Sequence, residues 1–123
     1  MAKILFINND PQLRETMRSA LAGTGHQVSE AAHGRAAVLL LRSQSFNLII
    51  TDMVMPEVDG VEVICTARVL QPDAKIIAVS GGGRRMSTAY YLDLATKLGA
   101  HKTLAKPFQP GDLLSAVDEI TRT

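Results

Sequence analysis

"KILFINNDP", residues 3–11, changes character halfway along: five residues of a buried strand give way to two amides, an acid and a proline. The branched apolar run Lys3–Ile7 suits a sheet interior, whereas Asp10 before Pro11 reads as a helix N-cap followed by the first helical residue. Leu13, Met17, Ala20 and Leu21 continue at helical spacing, and Gly23 and Gly25 supply the stop. A strand that passes directly into a helix opens a βα unit, and the chain repeats the device. Branched runs recur at 27–31 (QVSEA), 46–51 (FNLIIT), 75–80 (KIIAVS) and 101–105 (HKTLA). Helical periods follow them at 34–42 (Val38, Leu39, Leu41), at 60–70 (Val61, Ile64, Leu70) and at 87–98 (Tyr91, Leu94, Ala95, Leu98, closed by Gly99). A last helix follows Pro110 through Leu113, Leu114, Val117 and Ile120.

Strict alternation of strand and helix requires a parallel sheet covered on both faces, and the continuously apolar third and fourth runs are what doubly covered strands look like. The pattern is an α/β (βα)5 chain. With right-handed crossovers the usual five-strand solution is doubly wound, the flavodoxin-like order 2-1-3-4-5, whose direction reverses between the first and third strands. A ligand crevice is expected there, beyond the carboxyl ends of the strands. "SGGGRR" at 80–85 resembles a phosphate loop superficially but lacks the GK[ST] ending of such loops, so 81–85 reads as a flexible loop.

The bulk composition narrows the function. With 123 residues the chain is the size of one ordinary domain, spanning 1–123. A hydrophobic share of 46%, a charged share of 20% and a formal charge of +1 describe a soluble globular protein without the basic footprint of a nucleic-acid binder. No direct nucleic-acid contact is expected. The longest apolar runs fall far short of the roughly 20 residues of a membrane span, and the N-terminus lacks a signal-peptide pattern, so the expected location is the cytoplasm. The single cysteine, Cys65, lies among Val61, Ile64 and Val69 and reads as inert packing. His26, His33 and His101 have no metal-ligand spacing and no neighbouring nucleophile, and Tyr90 and Tyr91 should straddle their helix, one packed and one exposed.

Because parallel strands all point one way, whatever follows each strand collects on one edge of the sheet. Asn8, Asn9 and Asp10 come from the first strand, Asp52 from the third, Ser80 from the fourth and Lys106 from the fifth. A carboxylate to receive a phosphoryl group, with a hydroxyl and an ammonium to hold its oxygens, is the chemistry this set supports.

The sequence resembles the response-regulator receiver domains of two-component signalling over nearly its whole length. The likeness is carried by "DPQLRETMRSAL" at 10–21, "LIITDMVMPEVDG" at 48–60, "IIAVSGGG" at 76–83 and "LGAHKTLAKPF" at 98–108. It implies that Asp52 accepts a phosphoryl group from a histidine kinase or phosphotransfer partner, and the single-domain length leads to the expectation of a stand-alone receiver, not an enzyme. Ser80, Lys106 and the main-chain amides of Met53 and Val54 would hold the phosphoryl oxygens, the Lys106–Pro107 peptide would be cis, and an unknown downstream protein would read the state.

The sequence departs from the family pattern in two places. Where Asn8 and Asn9 stand, receivers usually carry two adjacent acids that hold Mg2+. Amides offer carbonyl oxygens but no charge. At about 4 Å and an effective dielectric of about 20, each unit charge removed forfeits about 4 kcal/mol of gross attraction per unit charge on the ion. A third of that surviving weakens binding about tenfold. A weak Mg2+ site is therefore expected, drawing on Asp10, Asp52 and the carbonyl of Val54, with Asp10 also wanted as the helix cap. Without the acid pair, Asp52 can pair with Lys106 in a nearly neutral site. The second departure is Thr103, three residues before Lys106, where many receivers place a ring that swings inward on activation. Two other classes stand beside the phosphorylated receiver: a degenerate, phosphorylation-independent receiver acting as a protein-binding module, and a flavodoxin-like enzyme or cofactor binder. The last finds little support, since the chain has neither an aromatic pair for a flavin nor a nucleophile beside a base.

Overall fold

The computed structural model describes residues 2–81 and 86–122, so all of the expected loop at 81–85 except Gly81 lies outside the described residues. Five strands, β1 (Lys3–Ile7), β2 (Gln27–Ala31), β3 (Leu48–Asp52), β4 (Lys75–Ser80) and β5 (Lys102–Ala105), alternate with five helices. These are α1 (Pro11–Gly23), α2 (Gly34–Ser43), α3 (Gly60–Leu70), α4 (Thr88–Leu98) and α5 (Pro110–Arg122). All strand pairs are parallel and the sheet order is β2-β1-β3-β4-β5. That is the doubly wound topology the βα alternation demands.

Side chains of consecutive strand residues point to opposite faces, so each central strand feeds two cores. Leu5, Ile7, Ile49, Ile76 and Ala78 pack with Leu41, Val63, Ile64, Ala67 and Ala95 of α2, α3 and α4. Ile4, Phe6, Leu48, Ile50, Ile77 and Val79 pack with Met17, Leu21, Leu113 and Val117 of α1 and α5. All five β3 residues are buried, as expected of a strand covered on both sides.

Helix ends are closed by the residue types their positions call for. Asp10 Oδ1 accepts from the amides of Gln12 and Leu13 at 3.0 and 3.3 Å, and Pro11 begins the helix. Asp59 and Ser87 cap α3 and α4 in the same way. Gln71 closes α2 from a distance: its Nε2 donates to the carbonyls of Leu41 and Gln44, and its Oε1 accepts from Phe46 N at 2.7 Å. The histidines are structural. His33 Nδ1 caps α2 through Ala36 N, while His26 and His101 accept from the amides of Ala2 and Ile76 at the starting edge of the sheet, at 3.1 and 3.0 Å.

Several sequence readings are corrected. β3 begins at Leu48 and not at Phe46, although Phe46 is buried, Asn47 N already donates to Lys3 O, and Asn47 Oδ1 accepts from Lys3 N. β5 begins at Lys102, one residue later than expected. Leu39 is 62% exposed, because the buried side of α2 is the one bearing Ala37 and Leu41. Cys65 is not packed: it is exposed on α3, where Val63, Ile64 and Ala67 form the inner face and Val69 also points outward. Tyr90 is exposed and Tyr91 partly buried, the two rings meeting edge to face at 5.6 Å. Among the described residues no helix is long and apolar enough to cross a membrane.

Candidate functional site

The crevice lies where β1 and β3 end side by side. Register places Ile7 opposite Thr51 and Asp52 opposite Val79, so Asn8, Asp52 and Ser80 all reach the same rim. Asp52 and Ser80 are buried, and Asn8 is only 2% exposed. A polar group so enclosed has to find partners within the protein.

Asp52 finds three. Its Oδ2 accepts from Lys106 Nζ at 2.6 Å and from Asn8 Nδ2 at 3.3 Å, and its Oδ1 accepts from Val54 N at 3.3 Å. Lys106 reaches across because β5 pairs with β4: its amide donates to Ser80 O at 2.9 Å, and the cis Lys106–Pro107 peptide turns the chain beyond it. Gly81 lies along its aliphatic stem. The expected pairing of Asp52 with Lys106 is therefore present, and the charge of the carboxylate is balanced by the chain itself.

The β3–α3 connection is held against the strand end by glycine. A Cβ on Gly60 would lie 2.5 Å from Asp52 O and 2.6 Å from Met53 Cα, and one on Gly34 would lie 2.1 Å from Val58 O. Only glycine lets α3 start directly under the acidic residue and lets α2 meet the loop that follows it. Within that loop Glu57 takes a positive φ of 63°.

Asn8 answers the question its sequence raised. Its Oδ1 accepts from Asp10 N at 2.9 Å while its Nδ2 turns to Asp52, and its carbonyl accepts from Arg14 Nη1 at 2.8 Å. Arg14 is in turn 3.6 Å from Glu30, which Arg18 also holds. Asn9 is exposed. Sequence reasoning saw Asn8 only as a missing acid, yet a polar residue ending a buried strand needs both a donor's and an acceptor's partner, and an amide supplies both.

Met53 sits differently from expectation, whereas Asp10 and Thr103 sit as the sequence leads one to expect. The amide of Met53 donates to Val79 O at 2.9 Å, continuing the β3–β4 ladder, so of the two expected amides only that of Val54 faces the carboxylate. Asp10 is exposed and spends its carboxylate on the α1 cap. Thr103 is half-buried on β5, with no ring to swing.

The residues present do not fit a ready Mg2+ site. Among the described residues no group of three or more His, Cys, Asp or Glu side chains is placed to hold a metal. Asn8 Oδ1, Asp52 Oδ2 and Asp10 Oδ1 already accept hydrogen bonds from the chain.

Comparison with known proteins agrees with this geometry. The family model described as response regulator receiver domain matches residues 4–118. The response regulator receiver protein CpdR of Brucella abortus is 32% identical over 120 residues, covering 98% of this chain and 97% of that one. The chemotaxis protein CheY of Thermotoga maritima is 28% identical, covering 98% of each. Among solved structures, a CheY-like receiver domain protein from Methanospirillum hungatei superimposes with a TM-score of 0.87 at 26% identity, covering 97% of this chain and 92% of that one. TrrA of Thermotoga maritima, solved in complex with Mg(2+)-BeF, does so with 0.83 at 28% identity, covering 98% and 99%. The family model spans nearly the whole chain and the solved receivers share its fold, so the chain belongs to the response regulator receiver domain family of two-component signalling.

Proposed function

We propose that the chain accepts a phosphoryl group on Asp52 from a histidine kinase or phosphotransfer protein, and signals as a stand-alone receiver by binding a downstream protein. The observation that carries this reading is the Asp52–Lys106 pair at 2.6 Å, enclosed at the end of a doubly covered strand. In the transfer, the P–N bond of a phosphoimidazole breaks as a P–O bond to the carboxylate forms, and the departing imidazole takes up a proton. Oδ1 is the better nucleophile, since Oδ2 already carries two donors. Lys106 then holds the phosphoryl oxygens in place of the carboxylate, and Ser80 and the amide of Val54 complete the cradle. Pairing with Lys106 holds the acceptor in place before the donor arrives. Mg2+, which the TrrA structure contains, is held weakly here. The nearly full-length likeness to CpdR and CheY supports signalling through protein contacts.

A second reading, a binding module that works without phosphorylation, is favoured by one observation: Asn8 and Lys106 both already satisfy Asp52 Oδ2. Incubation with a small-molecule phosphodonor followed by intact mass separates the two. A single added phosphoryl group that is lost in Asp52→Asn supports transfer, and an unchanged mass under conditions that modify a known receiver refutes it in favour of the binding module.

A further inference from the structure

We propose that the carboxamide of Asn8 does in this protein the structural work that a divalent cation does in an acidic pocket, so that the folded state is indifferent to Mg2+. The inference rests on Asp52 being the receiving carboxylate. Two loops must be tied together at this rim, the one after β1 and the one after β3. Asn8 ties them with its own atoms: Nδ2 to Asp52 Oδ2 at 3.3 Å and Oδ1 to Asp10 N at 2.9 Å. Its amide N–H donates to Ala31 O at 3.1 Å and its carbonyl accepts from Arg14 at 2.8 Å, so all four of its polar groups are engaged.

The chemistry of the position selects the amide. One neighbour, the Asp10 N–H, needs an acceptor, and the other, the Asp52 carboxylate, needs a donor. Asparagine is both. Aspartate could still accept from Asp10 N, but it would turn a second anionic oxygen toward Asp52, whose Oδ2 already occupies Lys106, and a further cation between the two carboxylates would restore the tie. Asn8→Asp therefore exchanges a self-contained clamp for a metal-dependent one. Asn9 is exposed and makes no part of the tie, so Asn9→Asp is the control for added charge.

The test measures thermal melting of the full chain by circular dichroism, with and without MgCl2 at matched ionic strength, together with calorimetric titration of MgCl2 into the wild type. A cation at about ten times its Kd raises the folding equilibrium constant roughly tenfold. The wild type and Asn9→Asp should show no such gain and no submillimolar heat. Asn8→Asp should melt lower than the wild type without Mg2+ and recover with it. A submillimolar Kd for the wild type overturns the proposal, as does an Asn8→Asp variant that melts like the wild type in the absence of Mg2+. Should Asn8→Asp fail to fold, the wild-type titration alone still decides. None of these readouts requires phosphorylation, so failure here leaves phosphoryl transfer to Asp52 standing, and an Asp52 that takes no phosphoryl group leaves the Mg2+ result standing.

Discussion

Replacing Gly60 by alanine tests how tightly the Asp52 strand end is seated. The new Cβ would lie 2.5 Å from Asp52 O and 2.6 Å from Met53 Cα, both main-chain atoms that cannot rotate away. Ordinary contact needs about 3.5 Å, so the first turn of α3 must retreat by roughly 1 Å. The Gly60 N–H to Met53 O bond, 3.1 Å in the native chain, then stretches beyond useful length. Overpacking costs about 1–3 kcal/mol and the lost bond about 1 kcal/mol, offset by up to about 1 kcal/mol of helix propensity. The net loss is about 2 kcal/mol, or roughly 6–10 °C in a domain of this size. Gly111 in α5 is the matched control: a Cβ there meets nothing within 4 Å, so Gly111→Ala should be neutral or stabilise by up to about 1 kcal/mol. Urea denaturation followed by circular dichroism measures both. A difference of about 3 kcal/mol between the variants is expected, and agreement within about 0.5 kcal/mol would refute the reasoning, since propensity alone would then account for both.

Lys106→Met leaves the Asp52 carboxylate, 5% exposed, without its cation. Breaking a buried pair costs about 3–5 kcal/mol, but Lys106 is 29% exposed and Asn8 and Val54 still donate, so about 2 kcal/mol is expected; Asp52→Asn in the same chain should restore most of it, by urea denaturation. His101 is held below the usual histidine pKa, first by burial and then by Lys75 and Arg68, while its Nδ1 accepts from Ile76 N. The native state thus disfavours the proton: the contribution is fully present above about pH 6.5 and is lost as pH falls from there toward the lowered folded-state value. His101→Asn, which keeps an acceptor but does not titrate, should flatten the pH dependence of the urea midpoint between about pH 7 and 5. Glu57→Gly relieves a positive φ at the cost of an exposed ion pair to Arg35, and should leave stability unchanged or raise it by up to about 1 kcal/mol in the same assay.

The architecture could be read from the chain because its signals are local. Asp10–Pro11, Ser87 and Gly99 mark helix ends by their own chemistry, and the period of the apolar residues separates strand from helix. Once the order is parallel, the meeting of Asp52 with Lys106, 54 positions apart, follows from topology. What escaped depends on neighbours far along the chain. Nothing near Cys65 or Leu39 says which side of its helix faces the sheet, since apolar residues flank both sides. The resemblance implies a place for the amide of Met53 in the phosphoryl cradle, yet the pleat sends it to Val79. The carboxamide of Asn8 makes a bond to Asp52 that is visible only when both strand ends are placed side by side. Gly60 and Gly34 likewise show their purpose only against Asp52, Met53 and Val58.

In the proposed function the carboxylate of Asp52 is the phosphoryl acceptor. Borohydride reduction of the phosphodonor-treated protein, followed by peptide mapping, tests it most directly, because an aspartyl phosphate is reduced to homoserine where it formed. Homoserine at position 52 and at no other acidic residue is the predicted result. Reduction at a different aspartate or glutamate, or an unreduced Asp52 in protein that has taken up phosphate, would contradict the claim.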